Sequence, residues 1–491
     1  MKKIFEGLRP FQKAELLIMM LLAFAIPFSW LAAQYCEVAL LVCAVLKVVF
    51  DQKFKFNENQ MRFKWVYIIF ALTWVMYLIG MIYTDNQAVG WAQVSKKLGF
   101  LIFPMIFLFS DVSYLTKDRV RVIFYCLVIS VLTFFLMNFS WALYDVVFKD
   151  FGTYRLFNED LMKVLYVHHS YMSMYATLAM VFCFVEILEH DKLRIKVLNT
   201  IAVVLLMLFV FLLNSRAGLL CMILIIIVLL IWVTFVKKKR KVGIISSVAI
   251  VFIFVVTYMI VPDVFTRWTY TIKNIISEES TDRRFVQLKA SKAIVSENWM
   301  FGVGSGDRSD AVLAAYINYR DELVDRIKPV EGAEKTDFEE GRKKMLEEVF
   351  SLSQIETWNE PNEQMFKFIN ENSAYYKCDA ESVKKVAVEY IYVENAIYHE
   401  LNSHNQFITT IVSVGIIGLV LLLAYFIIPL VFWIINKKFD VVYFTFLLTV
   451  GLNAMFESLF ETQKGIIFFC FFNSLLFTLS IRPKLLGGVE K

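Results

Sequence analysis

The sequence predicts an all-α polytopic membrane protein of about twelve transmembrane helices with one large helical extracytoplasmic loop. Three observations carry that expectation. The 491 residues are 58% hydrophobic and 19% charged, whereas soluble domains average roughly 45–50% apolar and about 25% charged. Apolar runs long enough to cross a bilayer recur along most of the chain. Basic residues fall in alternate connections between those runs. Forty-seven Phe, twenty-two Tyr and ten Trp point the same way, and eight Pro with eighteen Gly exclude a collagen-like or low-complexity chain. A disordered protein is excluded and a soluble multidomain enzyme is disfavoured.

A spanning helix needs about 20 apolar residues. Runs of that kind place helices at 14–33, 35–50, 65–83, 98–110, 120–142, 168–188, 197–213, 217–236, 243–261, 407–435, 441–456 and 465–480. Those at 35–50 and 98–110 are short. The N-terminal stretch lacks a clean small-x-small cleavage site and more apolar runs follow, so it reads as an uncleaved first span. Lys2, Lys3, Arg9 and Lys13 precede the first span, and Lys53, Lys55, Arg62 and Lys64 follow the second. Lys117, Arg119 and Arg121 follow the fourth, Lys192, Arg194 and Lys196 the sixth, and KKKRK at 237–241 the eighth. Lys437 and Lys438 follow the tenth, Arg482 and Lys484 the twelfth. Every second connection is basic, which by the positive-inside rule sets both termini in the cytoplasm.

The remaining connections then face outward. One of them, 262–403, is long and rich in charge. Apolar residues at spacings of three and four predict helices in RRFVQLKASKAIVSEN, SDAVLAAYINYRDELVDRI, DFEEGRKKMLEEVFSL and ESVKKVAVEYIYVENAIYHEL. FGVGSGD at 301–307 reads as a Gly-rich turn, and 329–340 as an exposed insertion. The expected organisation is 1–261 with spans one to nine, 262–403 as an extracytoplasmic loop domain, and 404–491 with spans ten to twelve and a cytoplasmic tail.

Charge and cysteine add exclusions. A net charge of +5, from 50 basic against 45 acidic residues, is too balanced to suggest nucleic acid. Six of the seven Cys lie in or beside apolar runs, where Cys behaves as a small hydrophobe. Cys378 is alone in the long polar segment, which cannot close an internal disulfide. No Cys/His cluster has zinc spacing. GVGSGD lacks the GK[ST] of a phosphate-binding loop.

Four outward features could carry chemistry. Asn214-Ser215-Arg216-Ala217-Gly218 separates two long apolar runs, so Arg216 sits at the outer membrane boundary. An arginine there needs a partner. It either snorkels to lipid phosphate or serves as a fixed cation for an anionic ligand, with small Ala217 and Gly218 allowing close helix approach. Asp282-Arg283-Arg284 opens a loop helix, and guanidinium groups grip phosphate in a planar fork. Exposed, the same run is an ordinary solvated charge. Ser403-His404-Asn405 ends the long loop. Histidine titrates near neutrality and suits proton transfer, nearby arginines would keep the ring neutral, and the plainer role is a helix-start hydrogen bond. Gly415 and Gly418 in the following span suit close helix packing. Last come Glu457, Glu461, Gln463 and Lys464 at the turn between the final two spans, which could pair with the arginines, bind sugar hydroxyls or form a polar turn. Lys96 and Lys97 add outward positive potential. His168-His169 reads as interfacial, because neighbours on one helix point about 100° apart and no carboxylate lies at helical spacing.

The ordered set NSRAG, RFVQLKASKAIVSENWMFGVGSGD and SHNQFITTIVSVGIIGLV, with the long loop between the last two, resembles the O-antigen ligase and polymerase family of bacterial inner membranes. KKLGFLIFPMIFLF and ESLFETQKGIIFFCFFNSLLF resemble flanking segments of members from Bacteroidetes-like bacteria. The likeness covers most of 60–480. It implies a GT-C-type membrane glycosyltransferase that moves a glycan from an undecaprenyl diphosphate carrier to a sugar hydroxyl acceptor at the periplasmic face. The acceptor is lipid A–core in the ligase branch and another repeat in the polymerase branch. The resemblance implies His404 as general base, with Arg216 and Arg284 as diphosphate-holding residues, and no metal, nucleotide or other cofactor. Arg283 has no clear counterpart but joins the donor-binding set. Asn405, Ser215, Glu457, Glu461, Gln463 and Lys97 are supporting candidates. The HN pair before a GxxG-containing span favours the ligase. The stretch 329–375 is longer and more acidic than the family pattern, a departure that bears on acceptor recognition. Expected partners are the lipid-linked donor, a glycolipid or glycan acceptor and the bilayer. Rival classes are a lipid-linked glycan transporter, which usually shows broken midplane helices, and an inactive scaffold.

Overall fold

The computed structural model describes residues 2–51, 58–246, 259, 283–355, 358–401 and 403–481. The principal helices are α1 (Pro10–Ala25), α2 (Trp30–Phe50), α3 (Lys64–Ile79), α4 (Gln87–Lys96), α5 (Gly99–Phe109), α6 (Lys117–Phe148), α7 (His169–Glu189), α8 (Leu193–Leu213) and α9 (Arg216–Ile231). They continue as α10 (Arg283–Asn298), α11 (Arg308–Asp325), α12 (Lys335–Leu352), α13 (Glu363–Asn372), α14 (Ala380–Tyr398), α15 (Gln406–Asn436), α16 (Val441–Ala454) and α17 (Gln463–Ser480). Strand is confined, among the described residues, to a two-residue antiparallel pair at 354–355 and 358–359. Nine of the described helical segments are long and apolar enough to cross a membrane, and Val441–Ala454 is a shorter apolar helix. The fold is thus an all-α polytopic one, as the composition demands. The expected first span at 14–33 is two helices, because α1 ends at Ala25 and Ser29 caps α2 by accepting from Ala32 N. The expected span 243–261 lies largely outside the described residues.

Two compact units divide the chain. The first comprises 1–76, 93–269 and 420–491, the second 77–92 and 270–419. In the first unit α7 and α17 are the central helices. Nearly every side chain from Ser170 to Glu186 and from Gly465 to Leu479 is buried, as for a helix apolar all round. Phenylalanines dominate the packing. Phe469 meets Phe446, Phe426 and Phe460, while Phe182 stacks on Phe124 at 4.9 Å.

Alternate connections of this unit gather at opposite ends. At one end Lys117 and Lys237 both reach Glu189, and Arg121 donates to Glu186 at 2.8 Å. There Arg9 also pairs with Asp51, and Arg119 donates to Ile4 O. These are the connections that the basic residues mark in the sequence. At the other end Ser170 donates to Glu457, and Lys97 pairs with Glu461.

The second unit has its own core. Val286, Ala290, Tyr316, Leu323, Met345, Val349, Ile369, Val386 and Ile391 pack together from α10 to α14. All four helices expected from periodicity form, and α13 is an addition. Half of the expected insertion 329–340 is the start of α12, because the apolar face of that helix, Met345 and Leu346, enters this core. Pro329 bridges to Cys378, and Val330 N donates to Lys377 O.

The most consequential local feature lies inside α15. Val414 (φ −133°, ψ 17°) and Gly415 (φ 69°, ψ −170°) leave helical geometry. Gly415 was expected to serve close helix packing. Instead it breaks the helix, in a conformation open essentially to glycine alone. Breaking a helix orphans backbone groups, which must find partners. The loop 299–304 supplies them. Val303 N donates to Val412 O (2.8 Å), Gly304 N to Ser413 O (3.1 Å), and Ile416 N to Trp299 O (2.8 Å). Gly302 and Gly304 also hold positive φ, so the Gly-rich turn exists to fill this break. Asp307 completes the arrangement by accepting from Asp85 N and Asn86 N at 2.8 and 2.7 Å.

Candidate functional site

Arg216 opens α9 in the first unit. Asn214 turns the chain in left-handed geometry, and Ser215 Oγ caps the new helix by accepting from Gly218 N at 3.2 Å. The N-terminus of α9 is thereby aimed out of the apolar bundle with Arg216 on it. A Cβ on Gly218 would lie 2.6 Å from that of Ser173, so glycine is what lets α9 approach α7. Arg216 is exposed and, among the described residues, has no hydrogen-bond or ion-pair partner. A cation and a helix N-terminus on one spot both favour an anion.

The supporting residues of the first unit are placed around the same end. Lys97 is buried (1% exposed) and pairs with Glu461 at 3.1 Å while also donating to Gln93. The positive charge of Lys97 is therefore countered by Glu461. Glu457 accepts from Ser170 Oγ at 3.4 Å, and Lys464 donates to Tyr166 O. Gln463 carries a buried carboxamide oxygen with no hydrogen-bond partner among the described residues.

Glu159 was missed by sequence reasoning. It lies 4.0 Å from His168 and 3.7 Å from His169. Helical spacing gave no signal for it, because it arrives from the connection before α7. His168 is not on the helix at all: with φ −51° and ψ 133° it precedes α7, and the two imidazole centroids stand 4.2 Å apart.

The second unit carries His404. It is half-buried with φ 42°, in the short link between α14 and α15. Asn405 is a helix cap, its Oδ1 accepting from Phe407 N and Ile408 N at 3.0 and 3.1 Å. Ser403 Oγ shares a 2.8 Å hydrogen bond with Thr409 Oγ1. Ser403 and Thr409 also line a cavity of about 120 Å³ together with Arg308, Asp310, Tyr316 and Glu400. Burial pushes the Tyr316 phenol well up, keeping it protonated, and its hydroxyl has no hydrogen-bond partner among the described residues. Sequence reading missed this cavity because its wall comes from α11 and α14, whose polar residues look like ordinary solvated faces. Arg283 and Arg284 begin α10; the placement of their side chains lies outside what is described.

The described residues thus make a helical multi-pass membrane protein with an exposed cation on a helix N-terminus. Residues 201–330 match the O-antigen ligase family model, about a quarter of the chain. The match supports a fold of the GT-C type for this all-α chain and glycan transfer as its activity. The matched stretch contains Arg216 and Arg284, and ends before His404. No curated protein matches the chain.

Proposed function

We propose that this protein transfers a glycan from an undecaprenyl diphosphate carrier to a sugar hydroxyl acceptor, lipid A–core or a similar glycolipid. Transfer takes place at the periplasmic face of the bacterial inner membrane, with both termini cytoplasmic. The observation that carries this reading is Arg216, exposed, on a helix N-terminus between two apolar helices, and without a partner among the described residues. Departure of the carrier builds charge on its diphosphate. A preorganised guanidinium stabilises that charge without reorganisation, often the largest catalytic term. Arg284, and with it Arg283, extends the same role from the start of α10.

His404 takes the proton of the attacking hydroxyl, and direct displacement inverts the anomeric centre. The bond from the acceptor oxygen to the anomeric carbon forms as the bond to the diphosphate oxygen breaks, and no metal takes part in the transfer. The cavity lined by Ser403, Thr409, Asp310 and Glu400 offers hydroxyl partners for the acceptor sugar beside that base. The broken helix α15 is a feature also found in transporters. Here, however, the loop 299–304 satisfies the freed backbone groups, so they are not open to coordinate a cargo. That favours transfer over transport.

The test deletes the gene and restores it as wild type or His404→Ala, then measures glycan length on the carrier and on the finished acceptor. General-base catalysis contributes about 10²–10⁴-fold, so His404→Ala should be nearly inactive while well expressed. Long chains stranded on the carrier with a bare acceptor mean a ligase. Single repeats on both mean a polymerase, the alternative within the family. Normal transfer by His404→Ala would remove the base from the mechanism.

A further inference from the structure

We propose that Glu159, His168 and His169 form a binding site for a divalent transition metal of the Zn²⁺ kind, at the end of the first unit that carries Ser170 and Glu457. The geometry comes from the chain leaving and entering helices. Two adjacent histidines within one helix diverge by about 100° and do not chelate. His168 lies before α7, with extended backbone, whereas His169 is the first residue of the helix. That change of conformation between neighbours brings the two rings to 4.2 Å. Glu159 then reaches both, with Oε1 4.0 Å from His168 Nε2 and 3.7 Å from His169 Nδ1. One donor atom from each residue falls within 4.8 Å of the others.

The donor set and spacing both suit the ion. Zn²⁺ takes imidazole nitrogen and carboxylate oxygen at about 2.0–2.2 Å in tetrahedral geometry, so its donors stand roughly 3.3–3.6 Å apart. The Glu159 separations of 4.0 and 3.7 Å lie just outside this range and the whole donor set falls within 4.8 Å, so side-chain rotation must draw the donors together. A neutral imidazole N–H can donate to that carboxylate, whereas a ring nitrogen that presents its lone pair needs a cation between them. The Nδ1 of His168 is, moreover, buried without a hydrogen-bond partner among the described residues. Two histidines and one carboxylate leave a fourth position for water or another oxygen ligand.

The ion would staple the connection between α6 and α7 to the start of α7. That connection is also held through Arg155, buried and paired with Asp145 at 3.0 Å, through Leu165 N, which donates to Asn138 Oδ1, and through Tyr166 O, which accepts from Lys464. The role is structural and separate from the proton transfer assigned to His404.

The experiment uses the full chain without a polyhistidine tag, purified in detergent, stripped with chelator and titrated with Zn²⁺ by calorimetry. Cobalt absorption reports coordination geometry. We expect one Zn²⁺ per chain at micromolar affinity or tighter, tetrahedral cobalt bands, and a melting temperature that rises with Zn²⁺. Glu159→Gln and His168→Ala should each weaken binding tenfold or more, with melting temperatures in chelator equal to wild type. Glu159 is more than half exposed, so its substitution does not threaten folding. His190→Ala, which alters a histidine at the other end of the unit, should leave binding unchanged. Equal Zn²⁺ binding by the wild type and a His168→Ala/His169→Ala double variant would overturn the proposal, leaving a proton as the cation between these groups.

Discussion

Replacing Gly415 by alanine tests the architecture that carries His404. Gly415 sits at φ 69° and ψ −170°, and a Cβ there would collide with the backbone of Met300 and Phe301. No side chain can rotate away to relieve that contact. The backbone must move, and with it the three hydrogen bonds of Val303, Gly304 and Ile416 across the break. Forcing a non-glycine residue into this region costs about 1–3 kcal/mol. Each lost hydrogen bond costs about 0.5–1.5 kcal/mol net. The sum, about 2.5–7.5 kcal/mol, is a large part of a domain's stability. Gly451→Ala is the control, because its added methyl meets only the Phe426 ring, at 3.4 Å. The alanine there should stay within about 1 kcal/mol of wild type. The assay heats both variants in detergent and measures the fraction that remains monodisperse, alongside glycan transfer in cells. Gly415→Ala should melt well below the control and lose transfer. A Gly415→Ala protein with wild-type melting and activity would show that the break and its loop are not coupled.

Three further predictions rest on single interactions. Arg216→Ala should reduce transfer more than Arg216→Lys, since only a guanidinium grips diphosphate through two parallel hydrogen bonds; equal losses in the cell assay would argue against that geometry. Lys97→Met should destabilise by removing the cation that pairs with Glu461 at 3.1 Å, and a double-mutant melting cycle with Glu461→Gln measures the coupling of the two. Burial raises the Asp440 carboxyl to about 6, against partial relief from the backbone N–H groups of Tyr443 and Val442. The folded state therefore holds a proton that the unfolded chain, nearer 3.8, has released. Stability from this group is full below 3.8 and falls as pH rises towards 6. Asp440→Asn, which keeps the helix cap, should flatten that part of the pH–melting curve relative to wild type.

How much of this was legible in the sequence depended on whether the signal was periodic. Apolar runs and basic connections located most of the described spanning helices and the two ends of the first unit. Spacings of three and four located α10, α11, α12 and α14. The break in α15 was not legible. Gly415 sits in an uninterrupted apolar run, and the residues that complete it, 299–304, are more than a hundred positions away. The cluster of Glu159 with His168 and His169 failed for the opposite reason. A helical template was applied to two residues of which only one is helical. Arg216 was found because three or four polar residues between two apolar runs admit only one depth for it.

The charges of the first unit separate structural from functional cations. Lys47 and Glu15 are both fully buried and pair at 2.7 Å, with Asp111 O accepting a second bond from the lysine. Arg121 is held by Glu186, Arg155 by Asp145, and Lys97 by Glu461. Each of these cations would be costly inside an apolar bundle, and each has its carboxylate within 3.1 Å or less, as removal of a charge from water requires. Arg216 breaks the pattern, with Ser215 spent on the helix cap and no carboxylate among the described residues at its guanidinium. Each of these four described cations thus has a counter-charge within the fold. Under the proposed function, the cation left without one, on a helix N-terminus beside two apolar helices, is matched by the diphosphate of the lipid-linked donor.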